Sequence, residues 1–216
     1  ESEVALKEEA GAQVATAEAV HGITIEWCKT RLKQSVWGNL TWYARHADLL
    51  VMTQDDPELA LGIGPSIPSE IIMGAGRPVL LVPFAGSFAD CGQRALLAWS
   101  GSRESTRAAA DALPFLTTAR EVKVLSLMSD TSTDWSDPPG ADVGLWLARQ
   151  GVHVTLHQRK SREHAVGDQL LSAAQEWGAD LIVMGAYGHS RVYEMVLGGV
   201  TRAMLRRMTV PVLMSH

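Results

Sequence analysis

The amino-acid sequence predicts an α/β fold made of two copies of one unit, each a doubly wound five-stranded parallel sheet. Short apolar segments alternate with helical patterns along the chain, which is typical of parallel strands joined by crossover helices. Residues 47–52 (ADLLVM) recur as 179–184 (ADLIVM), 132 residues later. Residues 78–81 (PVLL) recur as 211–214 (PVLM), 133 residues later. Two matches in nearly the same register indicate an internal repeat.

The second copy, residues 92–216, is expected to hold a complete unit. Its strands are predicted from apolar runs between turn residues, at 94–100, 122–128, 152–158, 179–184 and from 210 onward. Its helices follow capping residues or carry one apolar face, and are predicted at 102–116, 141–150, 161–177 and 198–208. The segment 130–140 is rich in Ser, Asp, Pro and Gly and is predicted to be a loop.

Strand patterns predict the strand order 3-2-1-4-5 in each copy. Residues 49–52 and 181–184 are continuously apolar, as expected of strands covered on both faces. Residues 23–28 and 152–157 alternate apolar and polar side chains instead, which indicates a strand at a sheet edge. The order 3-2-1-4-5 puts the third strand of each copy at an edge and satisfies both patterns.

The first copy, residues 1–87, is expected to be incomplete at its N-terminus. With the repeat offset of 132, residue 1 corresponds to residue 133, which follows the second strand of the second copy. Two strands and one helix of the first copy therefore have no counterpart in the sequence. Because those strands are central in the predicted order, we expect the native polypeptide to extend roughly 40 residues further upstream.

Composition excludes several classes of function. The chain has 216 residues, a formal net charge of −5 and 46% hydrophobic residues. Apolar runs fall short of the ~18 residues that cross a bilayer, and the acidic balance offers no basic stripe for nucleic acid. Cys28 and Cys91 lack the spacing of a zinc site or a disulfide framework. We therefore expect a cytoplasmic protein, bound to neither membrane nor nucleic acid, with unreactive thiols.

A glycine-rich loop follows the fourth strand of the second copy, with glycines at 185, 188, 198 and 199. Open α/β sheets bind ligands at this end of a central strand, and glycines and helix N-termini favour phosphate. Neither GxxxxGK[ST] nor a GxGxxG after the first strand is present, so a P-loop NTPase or a Rossmann dehydrogenase is not indicated. The alternative, that glycines only allow a tight turn, explains Gly185 and Gly198 but not all four.

The spacing Gly-x2-Gly-x9-Gly before a helix and a closing TVPVL strand resembles the universal stress protein family. The segments 96–105 (LLAWSGSRES) and 185–205 (GAYGHSRVYEMVLGGVTRAML) resemble its tandem, two-domain bacterial members in particular. The resemblance covers residues 93–216 directly and 23–86 through the repeat. It implies a dimer-forming stress-response protein, with ATP or a related adenine nucleotide bound in the second domain.

The resemblance also implies which residues surround that nucleotide. The phosphates would lie against the glycine loop and the following helix, at Gly185, Gly188, His189, Gly198, Gly199, Val200 and Thr201. The ribose would face Ser100 and Gly101, and adenine would meet the backbone at Leu125, Ser126 and Leu127.

Two departures from the family pattern argue against a bound Mg²⁺. Gly199 stands where the motif has Ser or Thr, and Ser100 stands where nucleotide binders carry Asp. Phosphate-bound Mg²⁺ normally uses such a hydroxyl or carboxylate, and Thr201 is the nearest substitute. Backbone donors can still hold phosphate. The alternative is a non-binding interaction module with both sites degenerate, and a slow ATPase is disfavoured because no catalytic residue is identified.

The first copy is predicted to have lost nucleotide binding. Residues 53–57 (TQDDP) replace its first glycine pair, and residues 62–68 (GIGPSIP) contain two prolines that lack backbone donors. We expect the first domain to pack on the second as an internal pseudo-dimer through the fifth strands, Val79–Val82 and Val210–Met214. A further homo-oligomer is compatible with this arrangement, and function would follow from ligand-dependent conformation or partner choice.

Overall fold

The computed structural model describes residues 2–26, 36–54, 67–128, 139–161, 166–188 and 199–216. The chain divides into two compact units, residues 1–36 and 37–216. In the first unit, helix α1 (Ser2–His21) ends at Gly22, whose positive φ of 63° closes the last turn. No helix in the described ranges is long and apolar enough to cross a bilayer.

All seven strands of the described chain belong to one sheet with helices on both faces. The strands are β1 (Leu50–Thr53), β2 (Val79–Val82), β3 (Arg94–Trp99), β4 (Glu121–Met128), β5 (Val154–Lys160), β6 (Leu181–Gly185) and β7 (Val212–Ser215). The remaining helices are α2 (Val36–Ala44), α3 (Ile67–Gly74), α4 (Arg103–Asp111), α5 (Leu113–Leu116), α6 (Ala141–Arg149), α7 (Val166–Trp177) and α8 (Gly199–Arg207).

The sheet has the order β1-β2-β7-β6-β3-β4-β5. Every neighbouring pair is parallel except β2 and β7, which are antiparallel with Leu80 opposite Leu213. Residues 94–215 follow the predicted order 3-2-1-4-5 when their strands are numbered within the copy. The fifth strands, expected to meet between the copies, pair here as β2 and β7. Because this pair is antiparallel, the described strands form one mixed sheet of seven instead of two five-stranded parallel sheets.

Two predictions for the first copy are corrected by the structure. Residues 22–26 form no strand, and residues 27–28 of the predicted strand lie outside the described residues. At the edge of the sheet formed by the first copy lies β1 instead. Val51 in this strand is 57% exposed, although the apolar run at residues 49–52 predicted burial on both faces. A strand with a neighbour on one side only leaves part of its surface open.

The repeat seen in the sequence is also present in the secondary structure. Subtracting 133 from the bounds of β7 gives the bounds of β2, and β6 and β1 correspond within one residue at an offset of 132. In the antiparallel pair, Val79 faces Met214 and Leu81 faces Val212. The repeat makes Leu81 equivalent to Met214 and Val79 equivalent to Val212. The register is therefore unchanged when corresponding residues of the two strands are exchanged.

Two apolar clusters fill the two sides of the sheet. One lies under α7 and α8 and also includes α3, with members such as Ile71, Leu96, Leu125, Leu170, Ile182, Met204 and Met214. The other lies under α4 and α6, with members such as Leu97, Ala108, Ala109, Val124, Leu147, Val183 and Leu213. Because β2 and β7 contribute to both clusters, the two copies share one core.

Asp180, the residue before β6, fixes the start of the neighbouring strand β3. Its carboxylate accepts hydrogen bonds from the backbone N–H groups of Gly92, Gln93 and Arg94, at 3.1, 2.9 and 2.9 Å. The repeat makes Asp48 its counterpart. Asp48 is exposed and takes part in no hydrogen bond among the described residues.

Burial, more than the nearby carboxylate of Asp180, determines the character of Cys91. Burial of the thiol, with a smaller contribution from the negative charge of Asp180, raises the pKa of Cys91 to about 11. A thiol with this pKa stays protonated at neutral pH and is a poor nucleophile. Cys28, the other cysteine, lies outside the described residues.

Asp180→Ala is expected to lower the free energy of unfolding by about 2–3 kcal/mol, because three backbone N–H groups lose a charged acceptor. Asp48→Ala, in the same sequence motif, is expected to change it by less than about 0.5 kcal/mol. Urea denaturation of both variants measures the difference. Equal losses for the two variants would contradict the role given to Asp180.

Candidate functional site

The strand order reverses at the carboxyl ends of β3 and β6, and the space beyond these two ends is here termed the crevice. From β3 the chain continues to β4 and β5 on one side, and β6 and β7 lie on the other. Such a reversal is where open α/β sheets form ligand sites. Ser100 and Gly101 follow β3 here and are exposed, and Gly101 has a positive φ of 69°.

Ser102 connects this crevice to the start of α4. Its Oγ accepts from the Ser105 backbone N–H at 3.2 Å, and the Ser100 hydroxyl donates to it at 3.1 Å. Ser102 is therefore the N-cap of α4. The hydroxyls of Ser100 and Ser102 form a polar rim at the mouth of the crevice.

The first two glycines of the loop lie against the first turn of α4. A Cβ on Gly185 would approach the carbonyl carbon of Glu104 and the nitrogen of Ser105 to 2.6 Å. A Cβ on Gly188 would come within 2.7 Å of the Glu104 Oε2 atom. Both distances are shorter than any ordinary carbon contact, so the absence of a side chain allows β6 and α4 to pack together. For Gly185, packing is a sufficient explanation.

Local hydrogen bonds hold the beginning of the loop. The Ala186 N–H donates to the Ser215 carbonyl at 2.8 Å, and the Tyr187 N–H donates to the Thr201 Oγ1 at 3.4 Å. Tyr187 has a positive φ of 59°, which is unusual for a bulky residue. Thr201 is only 2% exposed. Its hydroxyl therefore braces the loop from inside, which weakens its case as a substitute for the missing phosphate ligand.

The second glycine pair is described only in part. Gly199 begins α8, is exposed, and has no atom within 4 Å of an added Cβ. Val200 is half-buried against the cluster under α7 and α8. His189 and Gly198, two other predicted ligand residues, lie outside the described residues.

Leu125, Ser126 and Leu127 end β4 on the other side of the crevice. Ser126 is buried and its hydroxyl donates to the Pro139 carbonyl at 3.4 Å. The side chain of Leu125 is buried in the cluster under α7, and its backbone pairs with Ala98 of β3 and His157 of β5 within the sheet, so the predicted adenine contact at this residue is not open to a ligand.

The backbone of β4 extends beyond β3. The Glu121 N–H donates to Gln93 on the β3 side, and the Val122 N–H donates to His153 on the β5 side. Backbone groups alternate sides along a parallel strand, so those of Leu127 point toward β3. The register with β3 ends at the Trp99–Ser126 pair. The Leu127 carbonyl consequently lies past the last rung of that ladder.

Glu104 is a site residue that sequence analysis missed. It is 6% exposed, lies in the first turn of α4, and forms an ion pair with Arg103 at 3.1 Å. Burial of the carboxyl raises its pKa, but hydrogen bonds from its own backbone N–H, from Ser102 and from Arg103, together with the charge of Arg103, outweigh burial and lower the pKa below its ordinary value. The carboxylate therefore stays ionised beside Gly188.

The described residues contain no cluster of three or more His, Cys, Asp or Glu side chains that could hold a metal ion. His157 and Arg159 form a polar edge on β5, where the histidine Nε2 accepts from the arginine Nε at 3.2 Å.

Comparison with known proteins identifies the family. The model of the universal stress protein family matches residues 92–216, more than half of the chain. The chain belongs to the universal stress protein family. No curated protein sequence matches the chain at a significant level.

Solved structures share the fold of this universal stress protein. One from Archaeoglobus fulgidus DSM 4304 is 21% identical, with a TM-score of 0.72 over 99% of this chain and 77% of its own. A putative one from Pseudomonas aeruginosa UCBPP-PA14 is 15% identical, with a TM-score of 0.58 over 96% and 77%. A universal stress protein in complex with cAMP is 21% identical, with a TM-score of 0.48 over 59% and 98%. At their identities, the first two likenesses show the fold alone.

Gly185→Ala is expected to destabilise this universal stress protein by about 2–3 kcal/mol, because the new methyl group meets the backbone of α4. Gly144→Ala in α6 is the matched control. Its Cβ would lie 2.8 Å from the tip of Leu156, a half-exposed side chain that can rotate away. Alanine also favours a helix over glycine by up to about 1 kcal/mol. Equal losses in urea denaturation would contradict a close approach at Gly185.

Glu104→Gln is expected to reduce the acid sensitivity of folding. The folded protein binds a proton on Glu104 less readily than the unfolded chain does, so the ionised carboxylate stabilises the fold above about pH 4.3, and this contribution disappears as the pH falls through the lower folded pKa. Melting temperatures between neutral and acidic pH test this. Glu70→Gln, an exposed acid in the first turn of α3, should keep the acid-dependent loss. An unchanged profile in Glu104→Gln would contradict the assignment.

Proposed function

We propose that this universal stress protein binds an adenine nucleotide in the crevice above β3 and β6, within a second domain at residues 92–216. The observation that carries the proposal is the Leu127 carbonyl, which faces the β3 side beyond the last rung of its ladder. A carbonyl in this position can accept a hydrogen bond from the exocyclic amino group of adenine. The neighbouring Ser100 and Ser102 hydroxyls suit a ribose.

The phosphate end of the ligand would lie along the glycine loop. Gly185 and Gly188 let the backbone of the loop come close to α4. Helix α8 begins at Gly199, which has no side chain that could cap the first N–H groups of the helix. Helix N-termini of this kind stabilise anions. Because Glu104 is already paired with Arg103, we expect binding that does not require Mg²⁺.

Glu104 sets the preference among adenine nucleotides in this proposal. Its ionised carboxylate lies beside Gly188, where added phosphate groups would bring further negative charge. Repulsion between two unit charges roughly 6–15 Å apart amounts to about 1–3 kcal/mol at an effective dielectric constant near 20. We therefore expect ligands with fewer phosphates to bind more tightly than ATP.

The first copy would act as a packing partner in a tandem arrangement. Its strand β2 pairs with β7, which supports an internal pseudo-dimer. Gln54 stands at the repeat position of Ala186 and is buried. Its amide donates to the Leu205 carbonyl of α8 at 3.0 Å and accepts from the Phe84 N–H at 3.4 Å. The acidic and proline-containing segments predicted to exclude phosphate fall largely within residues 55–66, outside the described residues.

In this proposal the protein acts in the cytoplasm as a stress-response binding protein without catalysis. Ligand binding to the native state would shift its conformation and its choice of partner. The competing function is an interaction module that binds no nucleotide. The buried Thr201 hydroxyl and the Glu104 carboxylate favour that alternative, because both reduce the donors left for phosphate.

Isothermal titration calorimetry with adenosine, AMP, ATP and GTP tests the proposal. We expect AMP to bind more tightly than ATP, and GTP to bind weakly because its ring offers a carbonyl where adenine has an amino group. Ser100→Trp fills the mouth of the crevice and should abolish binding. Gln93→Trp places the same side chain on an exposed residue at the other end of β3 and should leave binding intact.

Glu104→Gln separates the two functions further. Removing the negative charge should tighten ATP binding by about tenfold and leave adenosine binding unchanged. Absence of binding by every adenine compound, to both the native protein and Glu104→Gln, would favour the interaction module. Equal binding by Ser100→Trp would place any nucleotide elsewhere.

A further inference from the structure

A second concave site lies between α7 and the strands β4 and β5, on the face of the sheet that α7 and α8 cover. It is a cavity of about 160 Å³. Its apolar floor is formed by Leu96, Leu125 and Ala173, all of which are buried, and Trp177 at the end of α7 forms one wall. Apolar cavities of about 150 Å³ accommodate a benzene ring, so the space suits a body of that size.

The rim of this cavity is cationic. Lys123, His157 and Arg159 line it together with Glu176. The Lys123 Nζ lies 4.4 Å from the centroid of the Trp177 ring. The Arg94 Cζ approaches the same ring at 4.7 Å. The ring quadrupole attracts cations that lie over the face of a tryptophan. The N–H groups of such a cation can still donate to other acceptors.

The carboxylates around the cavity compensate only part of this charge. Arg94 pairs with Glu121 at 3.5 Å, and Arg159 pairs with Glu176 at 2.6 Å. Lys123 has the Trp177 ring, but no hydrogen-bond acceptor or ion-pair partner among the described residues. The cluster therefore contains one ammonium group whose hydrogen bonds the protein itself does not satisfy.

The surroundings penalise the charged form of this ammonium. Burial lowers the pKa of Lys123, and the charges of Arg94 and Arg159 lower it further against a smaller opposing effect of Glu121. An anion at the rim would relieve this penalty, because an opposite charge nearby favours the ammonium form.

We propose that this cavity binds a small organic monoanion, with a carboxylate on Lys123 and a single ring or a branched aliphatic group on the apolar floor against Trp177. One uncompensated cation matches one negative charge. A dianion would bring a second charge toward Glu176, and a neutral ring would leave Lys123 unsatisfied. The site is separate from the proposed nucleotide crevice, since Ser100, Gly101, Gly185 and Gly188 do not line it.

Sodium benzoate is the probe, titrated into ¹⁵N-labelled protein at constant ionic strength while the indole N–H signal of Trp177 is followed. The loss of one indole signal in Trp177→Phe assigns that resonance. We expect a saturable shift with a Kd on the order of 1 mM. Benzamide, which has the same ring without the charge, should bind at least about fivefold more weakly.

Variants assign the interaction to the cavity. Lys123→Met keeps the aliphatic stem and should weaken benzoate binding about tenfold, because a charge-assisted hydrogen bond is lost. Arg149→Gln removes an exposed cation on α6, which packs on the opposite face of the sheet, and should bind benzoate like the native protein. Ala173→Val fills the cavity without changing a charge, and it should abolish the benzoate-induced shift of the Trp177 indole signal.

The proposal would be overturned by a non-saturable response, by equal binding of benzamide, or by benzoate binding in Lys123→Met at native strength. If Lys123→Met does not fold, benzoate binding by Ala173→Val at native strength overturns it equally. Nucleotide binding is not needed for any of these results.

Discussion

The contact between β6 and the first turn of α4 is the constraint on which the crevice depends. Gly185 permits it, since any side chain there would meet the backbone of α4. Through this contact the glycine loop, the polar end of β3 and the cap at Ser102 come within reach of one ligand. Asp180 supports the same geometry from the opposite end of the sheet, where it anchors the start of β3. The site is thus built on the packed centre of the fold and not on a surface loop alone.

The antiparallel pairing of β2 with β7 has a different consequence. It turns the repeat into one sheet with shared cores on both faces, so the two copies have a common hydrophobic interior. The buried amide of Gln54, bonded to the end of α8, couples the first copy to the helix that begins at Gly199. This hydrogen bond is a direct contact between the first copy and α8. A population shift itself requires only that the ligand binds the two conformations with different affinity.

The sequence was sufficient to predict whatever depended on local pattern and repeat. Strands β3 to β7 and their order follow from apolar runs and from crossover rules. The strand prediction was wrong at residues 23–26, because alternation describes only the pattern of side chains, whereas a strand also needs a neighbouring strand to pair with. The burial of Glu104 could not be predicted either. It depends on Gly188, more than eighty residues away in sequence, and an acid in the first turn of a helix normally indicates an exposed partner of the helix dipole.

Charge distribution links the two concave sites. Glu104 keeps a buried negative charge next to the loop that resembles a phosphate site, and Lys123 keeps a half-buried positive charge beside an apolar floor. Their effects on folding differ: the lowered pKa of Glu104 means that its ionised form stabilises the fold, whereas burial and two nearby guanidinium groups penalise the charged form of Lys123. Arg103, the partner of Glu104, is itself largely exposed, and Lys123 has an aromatic ring in place of a carboxylate. In the two proposals, Glu104 disfavours added phosphate groups and Lys123 attracts an organic anion, so each charge acts on the choice of ligand.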